Sequence, residues 1–285
     1  MKKYVYLNGE FVYENEAKIS VFDRGFLFGD GLFETMRAYQ GKFFMWESHL
    51  SRLYNSAKLL KISIRTNKEV LKKAATKLME LNGLSDAYLR ITVSRGKHSG
   101  RITFDNKFIS TVLIVASELS LYPLEDYRKG IKVVIADVRQ NSFSPLPMHK
   151  SLNYLNCILA KEEARLKGAK EAIFLNSEGL VAEGATSNIF LVKEGRIYTP
   201  SKSEHILPGI TRKVVLNIIK ELGIEVKEEG IALDDLFRAN EIFITNSIME
   251  VLPIKEIDNH IVGDGKPGDI YRLVIDAYRQ TVKKN

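Results

Sequence analysis

The sequence predicts an α+β fold. Two observations carry this. Hairpin signals and helical segments fall in separate blocks, not in the strict strand–helix alternation of a doubly wound parallel sheet. The 285 residues, 45% of them hydrophobic, supply enough apolar surface for one large core or two medium ones.

The elements follow in chain order. YVYLNGEFVY reads as two β-rich runs joined by Asn8-Gly9, a hairpin signal. ISVFDRGFLFGDGLFETMRAY is glycine-rich and leads to a second hairpin turn at Gln40-Gly41. ESHLSRLYNSAKLLKI carries Leu50, Leu53, Leu59 and Leu60 at helical spacing. NKEVLKKAATKLMELNG reads as another helix, stopped by Asn82-Gly83. AYLRITVSRG, STVLIVASEL and GIKVVIADVRQ are β-rich, and SLYPLEDYRKG is the best linker candidate, placing a boundary at residues 121–130. A helix is expected just after Lys150. EAIFLNSEGLVAEGATSNIFLVKEGRIYTP reads as a β-meander with turns at Glu178-Gly179 and Glu194-Gly195. A Pro-Gly turn opens the helix ILPGITRKVVLNIIKELG, and the strand IFITNS and a helix near IYRLVIDAYRQTV follow.

Composition removes several classes of function. The net charge of +7 invites a nucleic-acid reading, but the lysines are mixed with glutamates as on a solvated surface, and no nucleic-acid recognition motif is present. No run approaches the ~20 apolar residues of a membrane span, and the N-terminus lacks the pattern of a signal peptide; a cytoplasmic protein is expected. The single cysteine, Cys157, forbids an internal disulfide and any CxxC site. The five histidines, His49, His98, His149, His205 and His260, show no metal-binding spacing, so no metal is expected. GFLFGDG lacks the ending of a P-loop, and no GxSxG elbow occurs.

One constellation remains. In PMHKSLNYLN, Lys150 precedes a segment that reads as an amphipathic helix. There the positive end of the helix dipole disfavours its charge. Burial acts in the same direction, and a neutral amine is the form that attacks a carbonyl to make an imine. Taken alone, a solvated surface charge is the better explanation of this lysine. VAEGATSN places Glu183 among small residues at a strand end, either as a loop charge or as a partner for a cofactor's ring nitrogen. ILPGIT offers the backbone N–H groups of Ile210 and Thr211 at a helix start, an ordinary cap or a phosphate cradle. Arg52 in HLSRL and Ser247 in ITNS are either surface groups or phosphate donors. An imine-forming lysine, an acid for a pyridine nitrogen and several phosphate donors together match the needs of pyridoxal 5′-phosphate.

Here the chain resembles the class IV aminotransferases, the fold-type IV pyridoxal-phosphate enzymes, which include branched-chain aminotransferases, D-amino-acid aminotransferases and aminodeoxychorismate lyases. The resemblance runs from FDRGFLFGDGLFETMRAY through HLSRL, YLRITVSRG, KSLNYLN, EGATSNIF and LPGITR to ITNSIMEVLPI and GDGKPG. It implies a smaller domain over 1–120, a linker at 121–130, and a larger domain over 131–285 carrying the cofactor lysine. It implies further that Lys150 forms the internal aldimine and moves the substrate's proton, and that Glu183 faces the pyridine nitrogen. Arg52, Ile210, Thr211 and Ser247 would hold the phosphate, Tyr154 the phenolic oxygen, and Asn188 would lie in the same cofactor-side motif. For the substrate it implies Phe33, Tyr88 and Arg90, with apolar walls from Phe33 and Met249 and a carboxylate on the N–H groups of Ile248 and Met249.

The expected activity is a ping-pong transamination between an amino acid, branched-chain or broad in range, and a 2-oxo acid such as 2-oxoglutarate. Alternatives are an aminodeoxychorismate lyase and a D-amino-acid aminotransferase. Branched-chain enzymes usually show FEGIR where this chain has FETMR, and TNSIMEVLPI is similar to the lyase branch. SRGKHSGR contains His98 and Arg101 in an order unusual for D-amino-acid enzymes; this loop is the candidate for exchange between subunits of an expected homodimer.

Overall fold

The computed structural model describes residues 3–98, 102–104 and 109–284. Arg101 of the proposed exchange loop therefore lies outside the described residues. The chain forms two compact units: residues 1–120 with 149–153, and residues 121–148 with 154–285. Segment 121–130, expected as a linker, clusters with the second unit and carries a helix, while Lys150 clusters with the first unit rather than with the larger one.

The first unit contains β1 (Tyr4–Leu7), β2 (Glu10–Tyr13), α1 (Arg24–Phe28), β3 (Gly31–Tyr39), β4 (Lys42–Phe43), α2 (Trp46–Leu59), α3 (Lys68–Leu81), β5 (Ala87–Ser94) and β6 (Thr111–Ser117). Its strands make one antiparallel sheet in the order β2-β1-β6-β5-β3-β4. Asn8 and Gly9 both adopt positive φ, 52° and 108°, as a two-residue type I′ hairpin requires. Asn67 caps α3 by accepting from the Val70 N–H at 2.8 Å, worth about 1 kcal/mol. Leu50 and Leu53 of α2 and Leu71, Ala75 and Leu78 of α3 are buried with Met36, Leu89 and Ile91 of the sheet.

The glycine-rich segment FDRGFLFGDG folds as a charged clasp. Asp23 caps α1, and Asp30 accepts from Arg24 Nε at 2.6 Å and from Arg95 Nε at 2.8 Å. Beyond it Gly31 has no room for a side chain, since a Cβ there would meet Leu152 Cδ1 and the Val93 carbonyl oxygen, each at 2.6 Å. That close approach lets the chain around Lys150 pair with the start of β3. The Phe33 N–H donates to the Lys150 carbonyl at 2.8 Å, and the Leu152 N–H donates to the Gly31 carbonyl at 2.9 Å.

The second unit contains α4 (Leu124–Lys129), β7 (Ile131–Ile135), α5 (Leu155–Leu166), β8 (Glu171–Leu175), β9 (Val181–Gly184), β10 (Asn188–Lys193), β11 (Arg196–Thr199), α6 (Ile210–Glu221), β12 (Val226–Glu228), α7 (Leu233–Phe237), β13 (Glu241–Asn246), β14 (Glu250–Ile257), β15 (His260–Ile261) and α8 (Asp269–Lys284). Its sheet runs β12-β11-β10-β13-β14-β7-β8-β9, with β15 on β14. It mixes parallel pairs, such as β14 with β7, and antiparallel pairs, such as β10 with β13. Phe190 and Phe243 stack at 5.2 Å across that antiparallel pair, in a sheet whose central strands are buried on both faces. Segregated helices on an antiparallel and a mixed sheet are the α+β architecture expected.

Candidate active site

Each unit carries its own set of the expected residues. The first holds Phe33, Arg52, Tyr88, Arg90 and Lys150; the second holds Tyr154, Glu183, Asn188, Ile210, Thr211, Ser247, Ile248 and Met249.

In the first unit the sheet sorts residues by the alternation of strands. Leu89 and Ile91 of β5 enter the core, while Tyr88 and Arg90 take the other face. Thr35 pairs with Arg90 and Phe33 with Thr92, so Phe33 shares the face of Tyr88 and Arg90. The Arg90 guanidinium lies 3.7 Å from the Phe33 ring centroid, and Lys150 Nζ lies 4.5 Å from the same centroid. One aromatic ring thus carries the amine and a guanidinium together.

Lys150 corrects the dipole argument. The helix begins at Leu155 with Tyr154 as its N-cap, whereas Lys150 lies in the extended segment paired with β3. The influence of a helix dipole is confined to the terminal turn, so four residues upstream of the cap it does not act on this amine. What the fold supplies instead is an ordered backbone and an aromatic face.

Glu34 and His49 are residues that sequence reasoning missed. Glu34 is fully buried on the core side of β3. Its carboxylate accepts from Arg52 Nε at 2.8 Å, from Arg52 Nη2 at 2.7 Å and from His49 Nδ1 at 2.7 Å. Burial alone would raise its pKa, but the Arg52 charge and the hydrogen bonds from Arg52 and His49 outweigh it, and the pKa falls to about 2. His49 is pushed down chiefly by burial, helped by the positive charges of Arg52 and Lys150, against the opposing pull of Glu34. An ionised carboxylate only accepts, so neutral His49 carries its proton on Nδ1. The signal was present: a lone acid inside the apolar strand GLFETM requires partners, and His49 and Arg52 sit three apart on one helix face.

In the second unit Glu183 and Asn188 flank the turn that joins β9 to β10. Glu183 accepts from the Leu207 N–H at 3.2 and 3.1 Å and from Asn188 Nδ2 at 3.1 Å; that same Nδ2 donates to the Leu207 carbonyl at 2.9 Å. Asn188 therefore ties Glu183 to the loop that opens α6. That helix starts at Ile210 behind Gly209, whose position offers no side-chain cap to the N–H groups of the first turn. A Cβ on Gly209 would lie 1.9 Å from Asn188 Oδ1, so only glycine admits this approach. Tyr154 is half-buried and lines an open groove of about 490 Å³ with Thr186 and Cys157.

The turn after β13 departs from expectation. Ile248 N and Met249 N, assigned to a substrate carboxylate, both donate to Asn246 Oδ1, at 2.9 and 2.8 Å. Met249 is 1% exposed and belongs to the apolar core. Among the described residues no helix is long and apolar enough to cross a membrane, and no cluster of His, Cys, Asp or Glu is arranged to hold a metal.

Comparison with known proteins gives the family. The family model for amino-transferase class IV matches residues 31–257. A Methanocaldococcus jannaschii protein, provisionally named a branched-chain-amino-acid aminotransferase, is 42% identical over 96% of this chain and 95% of its own. The D-alanine aminotransferase of Staphylococcus haemolyticus is 35% identical over 98% of both chains. The crystal structure of the Escherichia coli branched-chain amino acid aminotransferase superposes with a TM-score of 0.93 at 30% identity, covering 98% of this chain and 94% of the other. The chain belongs to the class IV aminotransferases, enzymes that depend on pyridoxal 5′-phosphate.

Proposed function

We propose that this enzyme transfers amino groups between branched-chain or similar aliphatic amino acids and a 2-oxo acid such as 2-oxoglutarate. The observation that carries this reading is the buried Phe33 ring, which gathers the Lys150 amine at 4.5 Å and the Arg90 guanidinium at 3.7 Å around one apolar residue. An aliphatic side chain suits the ring, and a carboxylate suits Arg90.

The residues fit the cofactor of the family. Glu183 is a buried acid oriented by two partners, and the start of α6 carries no side-chain cap among the described residues. The Thr245 hydroxyl, on the residue paired with Asn188, is buried without a hydrogen-bond partner among the described residues. When bound, pyridoxal phosphate supplies an electron sink for negative charge at the substrate's α carbon. Lys150 Nζ would be its point of attachment and the base that takes and returns the substrate's α proton. Glu183 would hold a proton on the ring nitrogen, with Asn188 keeping that carboxylate in place. The N–H groups of Ile210 and Thr211 and the side chains of Ser247 and Arg52 would hold the phosphate, and Tyr154 the phenolic oxygen. Glu34 holds the Arg52 guanidinium by two of its hydrogen bonds. Two half-reactions on one site predict ping-pong kinetics.

A homodimer is part of the proposal. Its support is the exposed apolar side of α5, where Leu155, Ile158 and Leu159 are 67%, 58% and 51% exposed. A D-amino-acid activity is the second reading, favoured by the D-alanine aminotransferase at 35% identity. The test is a panel of L- and D-amino acids with 2-oxoglutarate and with pyruvate as acceptors, plus pyruvate release from aminodeoxychorismate. Turnover of L-leucine, L-isoleucine and L-valine with 2-oxoglutarate is expected. Activity confined to D-alanine, or to the lyase reaction, contradicts the reading.

A further inference from the structure

Asn246 closes β13, and its side chain makes three bonds. Oδ1 accepts from the Ile248 and Met249 N–H groups, and Nδ2 donates to the Thr186 carbonyl at 3.1 Å. The amide therefore joins the turn 246–249 to the turn 184–187, whose flanks are Glu183 and Asn188. Two neighbouring N–H groups aimed at one point make an anion nest. In this chain the nest is filled from within by a neutral oxygen. Met249 is held from its other end as well, its carbonyl accepting from the Tyr127 hydroxyl at 3.0 Å. The turn is thus closed, and what it presents is half-buried Ser247 at its tip.

We propose that Asn246 is a positioning residue that fixes Ser247 for the cofactor's phosphate, and that the Ile248 and Met249 N–H groups do not receive the substrate's carboxylate. The inference rests on the reading above in which Ser247 helps to hold that phosphate. The amide matters because it accepts and donates at once. An aspartate keeps the two N–H bonds but sets an oxygen against the Thr186 carbonyl. It also places negative charge beside a dianionic group. Asn246→Asp and Asn246→Ala therefore separate the shape of the turn from its charge.

The experiment titrates wild-type, N246A and N246D apoprotein with pyridoxal 5′-phosphate and with pyridoxal, which lacks the phosphate. Thermal melting tracks folding, and KM for the best amino donor is measured alongside. Losing the acceptor of the turn should weaken pyridoxal phosphate binding about 10-fold in N246A. Added repulsion should weaken it about 100-fold in N246D, whereas pyridoxal affinity should change less than about 3-fold in both. KM in N246A should stay level or rise. Pyridoxal phosphate affinity within about 2-fold of wild type in both variants overturns the proposal. So does a lower KM in N246A, because the freed N–H pair would then be binding the carboxylate. If wild-type protein itself fails to bind pyridoxal phosphate, the proposed function falls and takes this inference with it; intact wild-type binding with unaffected variants overturns the inference alone.

Discussion

Arg52 grips both carboxylate oxygens of Glu34, Nε to Oε1 at 2.8 Å and Nη2 to Oε2 at 2.7 Å. The carboxylate is fully buried and the guanidinium nearly so. Such a pair fixes geometry more than it stabilises, because two charges have left water to form it. Its value here is a guanidinium locked in one orientation.

Breaking the pair from one side should be costly. Glu34→Gln keeps the shape and removes the counter-charge, leaving Arg52 buried without it. A loss of about 3–5 kcal/mol is expected in urea unfolding, with weaker binding of inorganic phosphate to the apoprotein. Full stability in this variant would contradict the assigned pairing.

The same cluster sets a pH dependence. Glu34 is depressed from 4.5 to about 2, so its contribution is complete above pH 4.5 and is lost as pH falls towards 2. His49 is also depressed below its ordinary 6.5, so the unfolded chain takes up its proton first as pH falls. Its contribution is present above 6.5 and declines below it, by up to roughly 1.4 kcal/mol per pH unit. Denaturant unfolding between pH 7.5 and 5 should show that slope, and His49→Gln should reduce it, leaving the share of His149, which burial also pushes down.

Gly209→Ala should disturb the start of α6. Its Cβ would overlap Asn188 Oδ1 at 1.9 Å, so Asn188 must give up its hold on Glu183 or the loop must move. A loss of about 1–3 kcal/mol is expected, along with weaker binding of pyridoxal 5′-phosphate measured by absorbance titration. An unchanged affinity would remove the Asn188–Gly209 contact from the account.

Leu159→Glu places a charge on the exposed apolar side of α5. Light scattering should show a dimer for wild type and a shift toward monomer for the variant. A monomeric wild type contradicts the homodimer.

Much of the fold was legible because its signals are local. Asn8-Gly9 marks a hairpin because both residues accept the positive φ of a type I′ turn, whose twist matches the strands, and Asn67 and Asn82-Gly83 bracket α3 as caps do. The motifs around Glu183, Asn188 and Ile210 were legible through family resemblance, and the fold places all three in the second unit. The pairing of Glu34 with Arg52 was not legible, because the partners are 18 residues apart on a strand and a helix whose packing no local pattern encodes. The setting of Lys150 was misread for a related reason. A strand-like pairing with β3 across more than a hundred residues holds it, not the helix that follows. Asn246 escaped notice because only the folded turn shows that its side chain occupies the N–H groups of Ile248 and Met249.

The most direct test of the central claim is to trap the cofactor on its lysine. The protein is mixed with pyridoxal 5′-phosphate, reduced with borohydride, digested and mapped by mass spectrometry. A phosphopyridoxyl group is expected on Lys150, one per chain, with none incorporated in Lys150→Ala at the same cofactor concentration. Label on a different lysine, or equal label in wild type and Lys150→Ala, would contradict it.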